Sequence, residues 1–403
     1  MSTPSHVMVC GPLEPFAQGF SAHLSRLGYT PISAAVQLQL MAHLSRWLAA
    51  MRLDASTLTP TTVGKFFVTR RNAGYTTYRS VKALSPLLGY LLGLGVTPPA
   101  PPAVLTPVEE LLERYRSYLT CDRGTTRTTA RGYVDMVRPF LAGRVMPDGA
   151  LDLRGLAPSD VTGFVLAQCP QRSPGSAKLL VTALRSLLRF LHVEAMLPRP
   201  LSDAVPSVAG WKLAGLPRAL DAGQTGRLLA SCNRSSIGSR DFAVLTLLVR
   251  LGLRAGEVGG LQLDDIDWRH GEITVRSKGN RRERLPLPVD VGRALVAYLR
   301  SGRAASMDGC RRLFLSARAP LRGLTSSAVS NIVSRAASRA GLPEITAHRL
   351  RHTAATRLLE AGAPLSEVGQ LLRHRRLLTT AIYAKVNREA LRTVARSLPG
   401  GAV

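Results

Sequence analysis

Acidic residues are scarce in this chain. It has 26 Asp and Glu against 53 Lys and Arg, a formal net charge of +27 with a pI near 11.2. That imbalance points to a polyanionic partner. Cysteine is sparse too. Cys10, Cys121, Cys169, Cys232 and Cys310 lie far apart, with no CxxC and no Cys/His cluster at metal-ligand spacing. The thiols are read as reduced and structural, and neither a metal nor a cofactor is expected. Long apolar runs are missing as well, since none approaches the roughly 20 residues needed to span a bilayer. The longest, Leu84 to Val96, is broken by Ser85, Pro86 and three glycines. The first ten residues lack the basic-then-apolar order of a signal peptide. The expectation is a cytoplasmic protein that binds nucleic acid and not membrane.

With 45% hydrophobic residues the chain can bury ordinary cores, and 403 residues suggest two or three domains. Two proline-rich stretches divide it. Thr97-Pro-Pro-Ala-Pro-Pro-Ala103 cannot continue a helix. Leu197-Pro-Arg-Pro200, followed by Pro206, Gly210 and Pro217, reads as a longer linker. The expected division is a helical domain over 1–97, a second over 104–197, a linker over 198–216 and a mixed domain over 217–403. Residues 198–403 carry 33 basic and 15 acidic residues, most of the net charge.

The first segment reads as a duplicate of the second. Ala83-Leu84-Ser85-Pro86-Leu87-Leu88-Gly89-Tyr90-Leu91 lies over Ala183-Leu184-Arg185-Ser186-Leu187-Leu188-Arg189-Phe190-Leu191. Upstream, Leu58-Thr-Pro60 matches Leu156-Ala-Pro158. Apolar residues recur at i, i+3 and i+4, so both segments are expected to be small helical bundles. The third segment mixes periods. A helix over Asp241–Val249 ends at Leu251-Gly252, and 272–276 with 282–287 reads as a hairpin around a glycine-containing turn. Helices are expected at about 289–301, 326–340, 348–361, 365–373 and 379–386.

Six residues of this third segment carry chemistry. Arg254 follows the Gly252-Leu253 break and opens a helix, where its planar fork suits two phosphate oxygens and Glu257 is placed to orient it. Lys278 sits at the hairpin tip and is one of only six lysines. An ammonium can give up a proton where guanidinium cannot, as a general acid requires. His348 and Arg351, three apart on one helix, share a face, whereas Arg349 and His352 are expected to point elsewhere. His374 and Tyr383 are nine apart, and Thr379 is a fitting N-cap for a helix carrying the tyrosine. A phenol, normally with a pKa of about 10, can attack phosphorus when cations and a base surround it. Singly, each has an ordinary reading: a surface ion pair, a phosphate-contact lysine, a structural tyrosine.

The ordered set Arg…Lys…His-x-x-Arg…His-x8-Tyr resembles the tyrosine recombinases, the phage integrase family that includes the Xer and Cre enzymes. The surrounding words resemble it too: Gly252-Leu-Arg254, Ser277-Lys-Gly-Asn-Arg281 with Leu285-Pro-Leu287, His348-Arg-Leu-Arg-His-Thr353 and Thr379-Thr-Ala-Ile-Tyr383. The resemblance is strong over about 217–390, and over 105–197 it rests on helical pattern. It implies a mainly α protein in which helical core-binding-type domains accompany a mixed α/β catalytic domain with a small β-sheet. It further implies cleavage of double-stranded DNA by Tyr383 through a 3′-phosphotyrosyl link. Arg254, Arg351, His348 and His374 would cradle the phosphate, His348 would take the phenolic proton, and Lys278 would protonate the leaving oxygen. Neither ATP nor metal would be needed. The partners would be DNA, further copies in a tetramer that passes through a Holliday junction, and other recombinases or accessory proteins. One departure is Arg373, where the family usually has glycine. The tail after Tyr383 is short, with Leu391 and Val394 as its apolar contacts to a neighbouring subunit. A type IB topoisomerase and a non-catalytic DNA-binding accessory remain as alternatives.

Overall fold

The computed structural model describes residues 7–99, 105–208, 219–233, 235–276, 281–303 and 309–373. Lys278, His374, Tyr383, the tail and the helix expected at 379–386 lie outside the described residues. The chain forms two compact units, one holding Met1–Ala100 with Gly215–Val403 and the other Pro101–Ala214.

The N-terminal helices are α1 (Ala17–Arg26), α2 (Pro31–Ala50), α3 (Pro60–Asn72) and α4 (Val81–Gly93). The second unit contains α5 (Pro107–Ser117), α6 (Arg127–Ala142), α7 (Pro158–Gln168) and α8 (Pro174–Val193). A hydroxyl-then-proline pair starts four of these eight. Thr30, Thr59, Thr106 and Ser173 each accept a hydrogen bond from the backbone N–H three residues on, and proline follows at the first helical position. The oxygen satisfies a donor left open at the helix start, and proline lacks the N–H that would be orphaned there. Leu84, Leu87 and Leu91 are buried in α4, and Leu184, Leu187 and Leu191 in α8, each pair 100 positions apart. The core of the second unit also takes in Leu197, Leu201 and Val205. The stretch expected as linker from residue 198 is therefore packed through Val205. Its apolar residues at 197, 201 and 205 recur at helical spacing, which the prolines between them obscured.

The remaining elements belong to the first unit: α9 (Ala222–Ala230), α10 (Ser236–Leu251), α11 (Ala255–Gly260), β1 (Ile266–Asp267), β2 (Glu272–Arg276), β3 (Arg282–Pro286), α12 (Val289–Ala297), α13 (Ser326–Arg339), α14 (Ala347–Glu360) and α15 (Leu365–Leu371). Helix α10 is buried on nearly every side from Ala243 to Val249, as a helix apolar all round should be. The other helices pack around it. The sheet is antiparallel in the order β1-β2-β3, and Ile273 opposite Leu285 faces the core. The hairpin appears as expected. The two-residue β1 was not anticipated, because so short a strand has no readable alternation. The N-terminal helices meet this part of the unit where the Leu321 N–H donates to the Leu27 carbonyl at 2.9 Å. The result is a mainly α chain with one small sheet. Among the described residues no helix is long and apolar enough to cross a membrane, and no group of three or more His, Cys, Asp or Glu could hold a metal ion.

Candidate active site

Helix α10 ends at Gly252, whose φ of 58° lies in the left-handed region. The position also lacks space. A Cβ there would come within 2.8 Å of Leu372 Cδ2 and 3.3 Å of Ala354 Cβ. Glycine thus lets the α10–α11 corner approach α14 and the end of α15. That corner places Arg254 as the N-cap of α11.

Arg254 is oriented by Glu257, as its spacing suggested. The Arg254 N–H donates to Glu257 Oε2 at 2.8 Å, and its Nη1 donates to Oε1 at 2.7 Å. The Glu257 side chain is buried, while Arg254 keeps 44% of its side chain exposed. Burial pushes the Glu257 carboxyl up. Arg373 beside it, then the bonds from Arg254, outweigh that and hold it below the usual carboxylate range. A carboxylate depressed in the folded chain contributes stability fully present above its unfolded pKa and lost as pH falls through the folded value. Glu257→Gln is therefore expected to be less stable at neutral pH and to lose less stability on acidification below about pH 4.5. Urea denaturation of both proteins across that range checks this.

Helix α14 begins at Thr346, whose hydroxyl accepts from the Arg349 N–H. It carries His348 and Arg351 on one face. Arg351 is only 3% exposed. Its Nη1 donates to the Gly252 carbonyl at 2.6 Å, and its Nη2 donates to the Leu372 carbonyl. One guanidinium thus joins the turn before Arg254 to the end of α15. The protein packed around His348, then Arg351 and Arg254, lowers its pKa, which favours the neutral ring.

His352 does not point elsewhere. Its Nε2 lies 3.0 Å from His348 Nε2, and the rings meet edge to face with centroids 4.3 Å apart. Burial first, then His348 and Arg351, push its pKa down to about 4. With both rings neutral, one Nε2 donates and the other accepts, so the two imidazoles hold complementary tautomers. Their i, i+4 spacing was the signal available in the sequence, since such residues are neighbours on a helix.

Arg373 is the residue that sequence reasoning placed least well. Glycine's usual place is filled here by an arginine that adopts the left-handed conformation itself, with φ of 54°. Its side chain is 1% exposed, and its Nη2 donates to Glu257 Oε2 at 2.7 Å. No local pattern signals that contact, because Glu257 lies 116 positions away.

The structure therefore brings Arg254, His348 and Arg351 together. Lys278 falls between β2 and β3, and His374 and Tyr383 follow α15, all three outside the described residues. The assembled part offers two guanidiniums and a neutral imidazole, a set suited to an anionic group and to accepting a proton.

Residues 218–390 match the phage integrase family. The integrase/recombinase y4rA of Sinorhizobium fredii strain NGR234 is 38% identical over 401 residues, covering 97% of this chain and 96% of that protein. The tyrosine recombinase XerD of Mycobacterium tuberculosis is 33% identical over 301 residues, covering 70% of this chain and 95% of that one. Among solved structures, a lambda integrase tetramer bound to a Holliday junction aligns with a TM-score of 0.52. It is 19% identical and covers 77% of this chain and 88% of that one, a likeness of fold.

Proposed function

The chain belongs to the phage integrase family of tyrosine recombinases, and from that premise we propose that it cuts and rejoins double-stranded DNA through Tyr383. It is a tyrosine-type site-specific recombinase. The observation that supports the residue assignment is the convergence of Arg351 and Arg254, guanidiniums from separate segments, on the half-buried His348.

In the proposed reaction the Tyr383 phenolic oxygen attacks the scissile phosphorus. The phenolic proton passes to a ring nitrogen of His348, whose lowered pKa favours the neutral ring. Arg254 and His374 contact the phosphate oxygens and the enclosed Arg351 adds its positive charge beside them, stabilising the charge that develops there, where most catalysis of phosphoryl transfer arises. The bond from phosphorus to the 5′-oxygen breaks, and Lys278 supplies that oxygen with its proton. The products are a 3′-phosphotyrosyl link and a free 5′-hydroxyl. Attack by the 5′-hydroxyl of another strand reverses each step and rejoins the DNA, so no outside energy source enters.

We further propose that four copies act together on paired sites through a Holliday junction, in the cytoplasm, on behalf of a mobile element. The family relationship and the tetrameric lambda integrase neighbour support this reading. Residues 1–97 are proposed as a second copy of the helical domain that grips DNA. Their support is the shared four-helix order and the three leucines buried at an offset of 100.

The test is covalent trapping on a nicked duplex taken from the DNA flanking the gene. The expected product is a protein–DNA adduct that resists denaturant and disappears on protease treatment. Relaxation of supercoiled plasmid without paired sites, and no strand exchange between them, would point instead to a topoisomerase. Binding should also weaken steeply with salt, because phosphate contacts by Lys and Arg release counterions. A flat profile of affinity against salt would argue against backbone-dominated contact.

A further inference from the structure

We propose that Arg373 is a positioning residue that clamps Glu257, and through it Arg254, to the segment leading into His374 and Tyr383. The proposal rests on the catalytic reading above and adds a residue to it. With 1% of its side chain exposed, Arg373 has no access to a phosphate and acts through its neighbours. Its contacts are unusually placed. Nη2 donates to Glu257 Oε2 at 2.7 Å, Nη1 donates to the Leu371 carbonyl at 2.9 Å, and Nε lies 3.8 Å from Glu283 Oε2. Glu257 is the same carboxylate that receives both the backbone N–H and the Nη1 of Arg254. Glu283 lies on β3 opposite Val275 of β2, on the hairpin whose connecting segment contains Lys278. One guanidinium therefore bonds the carboxylate of one site segment and lies within ion-pair distance of another on the hairpin, while its own residue precedes a third.

The geometry explains why an arginine occupies a position with φ of 54°. Non-glycine residues seldom adopt that conformation and keep it only where surrounding contacts hold them. Here the buried ion pair with Glu257 is that contact. It also decides what the pair does. Without Arg373, Oε2 is held by the Arg254 backbone N–H alone, and the carboxylate can pivot about that bond with the exposed side chain on Oε1. A second, buried guanidinium fixes its plane, and Arg254 then meets the phosphate from one direction. Registering His374 and Tyr383 against Arg254 matters because a misplacement of about 1 Å can cost about 100-fold in rate.

The test compares wild type, Arg373→Gly, Arg373→Lys, Glu257→Gln and the double variant Arg373→Gly/Glu257→Gln. Glycine adopts a positive φ freely, so the first variant keeps the turn while removing the buried side chain, and melting temperature reports the packing lost with it. The readout is the single-turnover rate of adduct formation on a nicked duplex at saturating protein, beside DNA affinity and melting temperature. Arg373→Gly is expected to lower the rate of the bound complex about 10- to 100-fold with affinity unchanged. Arg373→Lys, which retains the charge, is expected to recover part of the loss. The double variant is expected to be no slower than the slower single one, since both act through one carboxylate. Wild-type cleavage by Arg373→Gly, or single losses that multiply in the double variant, would overturn the proposal. Should Arg373→Gly not fold, the same cycle with Arg373→Lys decides by the same criterion. Tyr383→Phe run in parallel separates the two readings. An adduct there overturns the nucleophile, whereas wild-type rates in Arg373→Gly overturn the positioning role alone.

Discussion

Tyr383→Phe is expected to abolish the covalent protein–DNA adduct while leaving DNA binding close to wild type. The substitution removes one oxygen and keeps the ring, so packing around it changes little. The lost atom is the one that forms the bond to phosphorus, and no other group proposed for the site can replace it as nucleophile. Binding is expected to rest on many contacts between basic side chains and the DNA backbone, since residues 198–403 alone supply 33 basic residues. Rate and affinity should therefore separate cleanly. Denaturing gel analysis of a nicked duplex gives the first, and a mobility-shift titration at fixed salt gives the second. An adduct at wild-type yield from the phenylalanine variant would mean that another residue attacks.

The second large effect is expected at Arg254. Arg254→Ala should lower the rate of adduct formation by about 10²–10³-fold, the range for removing one preorganised donor from a developing charge. Of the two site arginines in the described residues, Arg254 is the one with reach. It keeps 44% of its side chain exposed, whereas Arg351 is nearly enclosed and donates to two backbone carbonyls. Arg254→Lys should rescue little, because ammonium lacks the planar fork that meets two oxygens at once. Arg351 should respond differently. Its removal leaves the Gly252 and Leu372 carbonyls without their donor, so stability falls together with cleavage. Melting curves of the two alanine variants separate the roles. Equal losses of stability would contradict the distinction.

Within the described residues, the placement of Arg254, His348 and Arg351 was legible from the sequence because its signals are local. The Arg254–Glu257 pair spans one helical turn, His348 and Arg351 share a face at i, i+3, and β2 and β3 flank a short glycine-containing connection. Each depends on helix or strand geometry alone. What escaped depends on contacts far apart in the chain. The burial of Arg351 against the carbonyls of Gly252 and Leu372 spans 99 and 21 positions, and the Arg373–Glu257 pair spans 116. Reading Arg373 as the loss of a permissive glycine treated the turn as a backbone problem. The structure instead supplies a partner that holds an arginine in the glycine conformation. His352, expected to face away from the site, packs on His348 instead, as the local i, i+4 spacing allows.

The most direct test of the central claim is to digest the trapped adduct with trypsin and identify the modified residue and the DNA end attached to it. The account requires the DNA on the Tyr383 oxygen, joined through a 3′-phosphate, with a free 5′-hydroxyl on the released strand. Attachment to any other residue, or a link through a 5′-phosphate, would contradict it.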